Sequence, residues 1–496
     1  MAPVAQRIEE LEAENKRLAL RVKALEKELY GSRSDRRPAP DPRQGTFSEI
    51  DEARAPEPVT AAPKRAGASK AKGLPRGPKP LNPDLPRHQE FIPDPDINAL
   101  ICPASGRPMK PGFTESVEVL ARKPAEYYVR VLIRRVFVSP LGEAPVYSPW
   151  PSDVMPRSRI DVSVVASILS SRFADHQPYH RQSKQLERHG VSLPVNTQCS
   201  LVALACEKLQ PVYQAVITDT LNHTYLMMDP TPVRLKSEHK SGSTKQATIW
   251  TYRALDGPVF FEFAENKKGS TPAQTLNTYQ GILQTDGASN FGGLPAREAV
   301  THLGCWAHVR RYFVKAEESG DTRATPYLET IDRLFRRERL IKRFGLNAEQ
   351  TRELRRRYSL PAVDALYAKA LDFAQNQTLL KTPLVKAINY TLARTQTLRE
   401  CFLHAPSRID NNLAENALRP IKLGAKNWLF IGHENAGPRT AIMFTLVENC
   451  RILGLNPEEY LANILARVDE HPNKRIQELT PHGWANAKAA RAATPL

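Results

Sequence analysis

Three acidic residues have the settings that two-cation phosphoryl chemistry requires. Asp229 closes the apolar run Tyr225-Leu226-Met227-Met228, and Asp286 closes Gly281-Ile282-Leu283-Gln284-Thr285. Glu415 lies in a stretch of helical character, Asp410 to Arg419. Mg²⁺ is a hard cation that prefers oxygen donors, so carboxylates serve it better than His or Cys. Two such ions about 3.5–4 Å apart hold the attacking and leaving oxygens of an in-line displacement at phosphate. In that scheme Asp229 bridges both ions, while Asp286 and Glu415 complete one each. Water attacks for strand cleavage, or a DNA 3′-hydroxyl attacks for joining, with no covalent protein–DNA intermediate. The plainer interpretation makes the two Asp turn residues and the Glu a solvated helix residue. Pro230 favours the first, because a proline pushes the residue before it toward extended geometry and would set Asp229 at the lip of a sheet.

The rest of the chain has the composition of a nucleic-acid partner. Its 496 residues exceed one ordinary core, so several domains are expected. A net charge of +17 favours a polyanion, and double-stranded DNA is the first candidate. The six cysteines are scattered at 102, 199, 206, 305, 401 and 450, with no C-x-x-C pair, which fits a reducing cytoplasm. The N-terminus is charged and heptad-patterned, unlike a signal peptide. No stretch approaches the ~18 uninterrupted apolar residues of a membrane helix, so no membrane partner is expected.

The elements that must position the acids follow in order. Residues 1–30 hold a heptad with Val4, Leu11, Leu18 and Leu25 at d and Ile8, Asn15, Val22 and Leu29 at a. Asn15 in the seam, and Arg7 and Arg21 facing Glu12 and Glu26, predict a parallel coiled-coil homodimer. Residues 31–88 form a basic, Pro-rich linker in which Arg76 and Lys79 could lie along a phosphate backbone or in a minor groove. Residues 89–158 predict a small β module, with its strongest strand signal at Tyr127–Val138. Cys102-Pro103-Ala104-Ser105 is half a zinc knuckle lacking its second cysteine, so no structural zinc is expected. Residues 159–215 predict helices near Val162–Phe173, Pro178–His189 and from about Leu193, a helix-turn-helix-like region whose Arg181, Lys184, Arg188 and Asn196 could face DNA. Strands are expected at Tyr225–Met228, Thr248–Tyr252, Val259–Phe263 and Ile282–Thr285, with a helix at Pro272–Tyr279. That first part of the core spans 222–312, and a helical insertion spans 313–400. A second core part with Glu415 spans 401–435, and 436–496 are helices to about Val468 followed by a tail. The fold class is multidomain α+β around a mixed α/β core.

Several motifs together resemble the DDE transposases of the insertion-sequence-66 family. They are Asp229-Pro230-Thr231-Pro232-Val233, Leu283-Gln284-Thr285-Asp286-Gly287, Cys305-Trp306-Ala307-His308-Val309-Arg310-Arg311, and Asp410-Asn411-Asn412-Leu413-Ala414-Glu415 with Leu418-Arg419-Pro420 and Lys426-Asn427-Trp428-Leu429-Phe430. The heptads with Leu29-Tyr30-Gly31 match the family's usual opening. The resemblance implies a ribonuclease-H-like catalytic core with a helical insertion before the last acid. It implies Asp229, Asp286 and Glu415 as catalytic acids and metal ligands, with Mg²⁺ as cofactor and Mn²⁺ as a substitute. The implied substrate is the terminal inverted repeats of a bacterial insertion sequence, cut and joined to target DNA in the nucleoid, with accessory proteins of the same element as further partners. An inactive or cleavage-only DNA-binding relative is the alternative. The chain departs from the family pattern at Pro230, where an acidic residue is usual, and at Asn416 and Ala425, where Arg is often found. Arg310, Arg311, Arg419, Lys422 and Lys426 are candidates for phosphate contact, Trp428 for stacking on a flipped base, and His308 for a satisfied core position.

Overall fold

The structure, a computed structural model, describes residues 127–129, 136–137, 146–147, 152–155, 158, 160–237, 243–287, 299–376 and 382–493. The expected coiled coil, linker and zinc-knuckle remnant lie outside the described residues. All elements below belong to Leu132–Leu496, within one of two compact units; of the other, Ser48–Val131, only 127–129 are described. Within the expected strand Tyr127–Val138, only Val136–Phe137 is strand among the described residues, paired antiparallel with Val146–Tyr147.

Three helices come first. α1 (Val162–Phe173) starts where the Asp161 side chain accepts from Ser163 N at 2.9 Å. α2 (Tyr179–Arg188) ends at a turn through Gly190, whose φ of +75° is open to glycine. α3 (Val195–Leu221) follows.

The core is a five-stranded mixed sheet. β1 (Tyr225–Lys236), β2 (Thr244–Ala254) and β3 (Val259–Ala264) form an antiparallel meander. After the short helix α4 (Ser270–Thr275), β4 (Gly281–Gln284) and β5 (Val300–Leu303) add in parallel on the other side of β1. The strand order is therefore β3-β2-β1-β4-β5.

β1 corrects one expectation. It does not end at Asp229 but runs on through Pro230 and Pro232 to Lys236. Arg234 and Lys236 turn their C=O and N–H away from β2, to Ile431. Pro230 and Pro232 share that parity, so their missing N–H groups lie on the side where β4 no longer pairs. Asp229 is thus internal to β1 but beyond the parallel register, which stops at Met227↔Gln284.

Helices then close both flanks. α5 (Trp306–Glu318), α6 (Thr325–Phe344), α7 (Ala348–Leu354), a π turn (Arg355–Ser359), α8 (Leu360–Asn376), α9 (Pro383–Leu392) and α10 (Thr395–Glu400) make up the helical stretch. Their shared core contains Trp306, Phe313, Tyr327, Ile331, Leu366 and Phe402. Phe313 stacks on Tyr327 at 4.7 Å, and the Trp306 indole donates to Leu398 O at 3.0 Å.

α11 (Asn412–Ala417), α12 (Arg419–Trp428), α13 (Ala436–Ile452) and α14 (Pro457–Arg467) follow. α13 seals the sheet edge. Asn449 accepts from Val259 N at 3.1 Å and donates to Val259 O at 2.6 Å, and Thr445 accepts from Phe261 N at 2.9 Å. Tyr213 of α3 donates to Phe261 O at 2.6 Å. Side chains therefore take the backbone groups that an open edge would offer to another strand. The expected tail after Val468 is also corrected. A 3₁₀ segment, Asn473–Leu479, leads into α15 (Pro481–Ala493), and Trp484 packs edge-on against the buried Tyr460 at 5.8 Å.

Arg355 sits inside the π turn and is 2% exposed. It grips both Glu338 oxygens at 3.0 and 2.6 Å, and donates to His404 O at 2.7 Å and Ser407 O at 2.8 Å. Arg355→Ala strands these acceptors, and a loss of about 3–5 kcal/mol is expected in denaturant unfolding. A change under about 1 kcal/mol would show the network to be dispensable.

Candidate active site

Asp229 is carried by β1, next to the strand from which Asp286 emerges. β4 ends at Gln284, and Asp286 follows in a turn where Gly287 has φ +70°. Tyr390 of α9 donates to Asp286 O, and the Arg394 Nε donates to Gly287 O at 3.0 Å. Arg394 also lies over the Tyr390 ring at 3.9 Å. The second acid is therefore held from the helical stretch as well as from the sheet.

The segment before α11 brings in the third acid. Trp306 N donates to Ile409 O at 2.8 Å, and Asn411 N donates to Cys305 Sγ at 3.3 Å. The buried Asn411 amide donates to Met228 O at 2.7 Å, one residue before Asp229. This tie fixes α11 against β1, and Glu415 rides on its first turns. Arg311 of α5 pairs with Glu415 at 3.2 Å and reaches the His308 Nε2 at 3.1 Å. The His308 Nδ1 lies 3.6 Å from Glu415, beyond hydrogen-bond length. Burial holds this imidazole below its usual range, against the opposite pull of Glu415.

The electrostatics show the convergence. Asp229 is 8% exposed. Its carboxyl is pushed up to about 8, first by burial and then by the negative charges of Asp286 and Glu415; Lys422 and Arg311 pull the other way. The three acids of the sequence thus share one field. As they stand, no three His, Cys, Asp or Glu among the described residues gather closely enough to grip an ion.

The basic candidates divide. Arg311, Arg419, Lys422 and Lys426 are exposed, the last three on α12. Arg181, Lys184 and Arg188 are exposed along one face of α2. Arg76 and Lys79 lie outside the described residues. Arg310 is a correction: it points inward, is 8% exposed, and pairs with Asp332 at 2.9 Å. Trp428 is a second correction, since it is 9% exposed with Arg172 over its ring at 5.4 Å, a packed setting and not an open stacking platform. Asn411, Tyr390 and Arg394 were missed by sequence reasoning. Asn411 stood inside a quoted motif, but nothing local marks Tyr390 or Arg394, which reach the site only through the fold.

No helix among the described residues is long and apolar enough to cross a membrane. Residues 157–439 match the family model described as Transposase IS66 family, and residues 445–482 match that of the IS66 C-terminal element. Similar chains include three uncharacterized proteins of Sinorhizobium fredii. The protein y4hP is 29% identical over 502 residues, covering 95% of this chain and 89% of its own. The protein y4jD is 27% identical with 82% of each chain covered, and y4qI is 26% identical with 93% and 87% covered. With the family match spanning the sheet, the three acids and the helices between them, the chain belongs to the IS66 family of transposases.

Proposed function

We propose that the chain is a DDE enzyme that binds the terminal inverted repeats of an insertion sequence, cuts the strand there and joins it to target DNA. The observation that carries this is the convergence of the three acids: Asp229 is buried, and the negative charges of Asp286 and Glu415 add to the effect of burial in raising its carboxyl to about 8. The strand order, an antiparallel meander with two parallel strands added beside β1, supports a ribonuclease-H-like core. The donor set fits a divalent cation, because it is all carboxylate oxygen and carries like charges that a cation would relieve. Asp229, Asp286 and Glu415 would hold Mg²⁺, or Mn²⁺ in its place. Such a metal supplies charge neutralisation at the phosphate and a more acidic attacking hydroxyl.

The remaining work falls to the chain's own groups. Tyr390 and Arg394 hold the Asp286 turn. Asn411 holds Glu415 in register with Asp229. Arg311, released from Glu415, would meet a phosphate, with Arg419, Lys422 and Lys426 following the strand. The exposed face of α2, in a helix-turn-helix-like arrangement with α3, would contact the repeat. The N-terminal heptads would join two copies, with accessory proteins of the element assisting. The domain order is coiled coil, linker, β module, helical DNA-binding region, core interrupted by the helical insertion, and C-terminal helices.

The test uses the full chain, a labelled duplex carrying the element end, and supercoiled plasmid. Mg²⁺ should yield nicked end and joined product, and chelation should remove both. An intact end in Mg²⁺ and Mn²⁺, with the element's other proteins added, would overturn the proposal.

A further inference from the structure

The helical insertion carries a surface that the cutting chemistry leaves unused. Between residues 333 and 357 there are ten Lys or Arg against three Glu. Two of those Glu are already committed: Glu338 to buried Arg355, and Glu353 to Arg356. Among the described residues, Arg333, Arg337, Lys342, Arg343 and Arg357 form no ion pair, and Arg357 feels Glu353 only at longer range, since that carboxylate is bound to Arg356. Arg333 and Arg337 lie one turn apart on α6 and so share a face.

The π turn brings a second row beside them. Arg355 and Ser359 point inward, which leaves Arg356, Arg357 and Tyr358 exposed in succession. Tyr358 is 50% exposed, with Arg337 over its ring at 5.9 Å and Arg357 at 5.6 Å. Arg337 also donates to Tyr358 O, which ties α6 to the turn. The saturated Arg355 fixes the turn from inside, so the outward Arg–Tyr–Arg group is built and not merely splayed. Single π turns within helices recur at functional positions.

We propose that this face holds target DNA: the phosphate backbone of a second duplex, taken without regard to its sequence. This rests on the function proposed above, which requires two duplexes at once. Guanidinium groups without carboxylate partners suit phosphate oxygens, and an aromatic ring between them adds a sugar or base contact. Arg can also read guanine edges, whereas reading adenine would call for Asn or Gln. The nearby Asn347 and Gln350 are bound to each other in the capping box of α7.

The test compares the native full-length chain with Arg333→Gln/Arg337→Gln/Arg357→Gln. Arg333→Gln/Arg357→Gln spares the Arg337–Tyr358 tie in case the triple variant misfolds. Lys474→Gln/Arg475→Gln/Lys488→Gln removes equal charge from exposed sites elsewhere. Binding to random-sequence duplex, joining into supercoiled plasmid, and cleavage of the end duplex are measured. The insertion variants should lose about tenfold in plasmid joining near physiological salt, and the slope of log K against log salt should fall by roughly 0.9 per lost contact. End cleavage should stay within about twofold, as should all readouts of the control. Unchanged joining and slope in both insertion variants, or an equal loss in the control, would overturn the proposal. A native chain that fails to cut ends, yet binds random duplex through these residues, would sink the cutting function and keep the surface.

Discussion

Asp286→Asn is expected to lower cleavage of the end duplex by about 10³-fold or more, the scale of removing one preorganised charge partner from a reacting phosphate. Binding of the same duplex should change by less than about twofold, because on the proposed function the phosphates would meet Arg and Lys and not this carboxylate. The substitution keeps the shape, and Tyr390 and Arg394 still hold the backbone oxygens of residues 286 and 287. Asp286 is the better probe of the trio. Glu415→Gln would also free Arg311 and His308, confusing binding with chemistry. A variant that cuts within about tenfold of the native chain would remove Asp286 from the catalytic set.

The second large effect concerns stability. The Asp229 carboxyl is raised from 3.8 to about 8 in the fold. Between those values the folded chain keeps a proton that the unfolded chain has given up. Stability must then fall as pH rises through that window, with the whole loss present above about 8. A few kcal/mol are at stake, at about 1.4 kcal/mol per pKa unit. Metal-free protein should therefore melt lower at pH 8 than at pH 5. Asp229→Asn should flatten the profile and gain about 2 kcal/mol at pH 8, while abolishing cleavage. Mg²⁺ should raise the native melting temperature at pH 8 and leave the variant unmoved. A flat native profile, or a variant less stable than the native chain, would refute the raised carboxyl.

Local patterning carried the helices well. Val162–Phe173 was legible to the residue, because Asp161 caps an apolar run and nothing competes. Strand limits were less legible. Two prolines after Asp229 argue against a strand, and only the loss of the β4 neighbour makes them harmless. β5, Val-Thr-His-Leu, has no alternation to announce it; its extended shape comes from pairing with β4. Trp484 gave no local sign of the helix that it anchors on Tyr460. At the site, the acids stood out by type and motif. Their supports did not, since Arg311 and Glu415 are 104 positions apart, as are Tyr390 and Asp286. Whether an Arg stays exposed beside Glu415 or packs inward against Asp332 is likewise decided by which face of α5 it occupies, and Arg310 and Arg311 are neighbours with opposite fates.

The sealing of β3 by α13 also sets a schedule for the nascent chain. Asn449 reaches the edge strand from 190 positions downstream of Val259. At ordinary elongation rates the ribosome needs roughly 10–40 s to supply it. Throughout that interval the β3 backbone, apart from the Phe261 O taken by Tyr213, is an open template for any neighbouring strand, including the same segment on the next ribosome of the message. A message broken before codon 436 would yield chains whose edge keeps the Tyr213 contact to Phe261 O but lacks the Thr445 and Asn449 contacts.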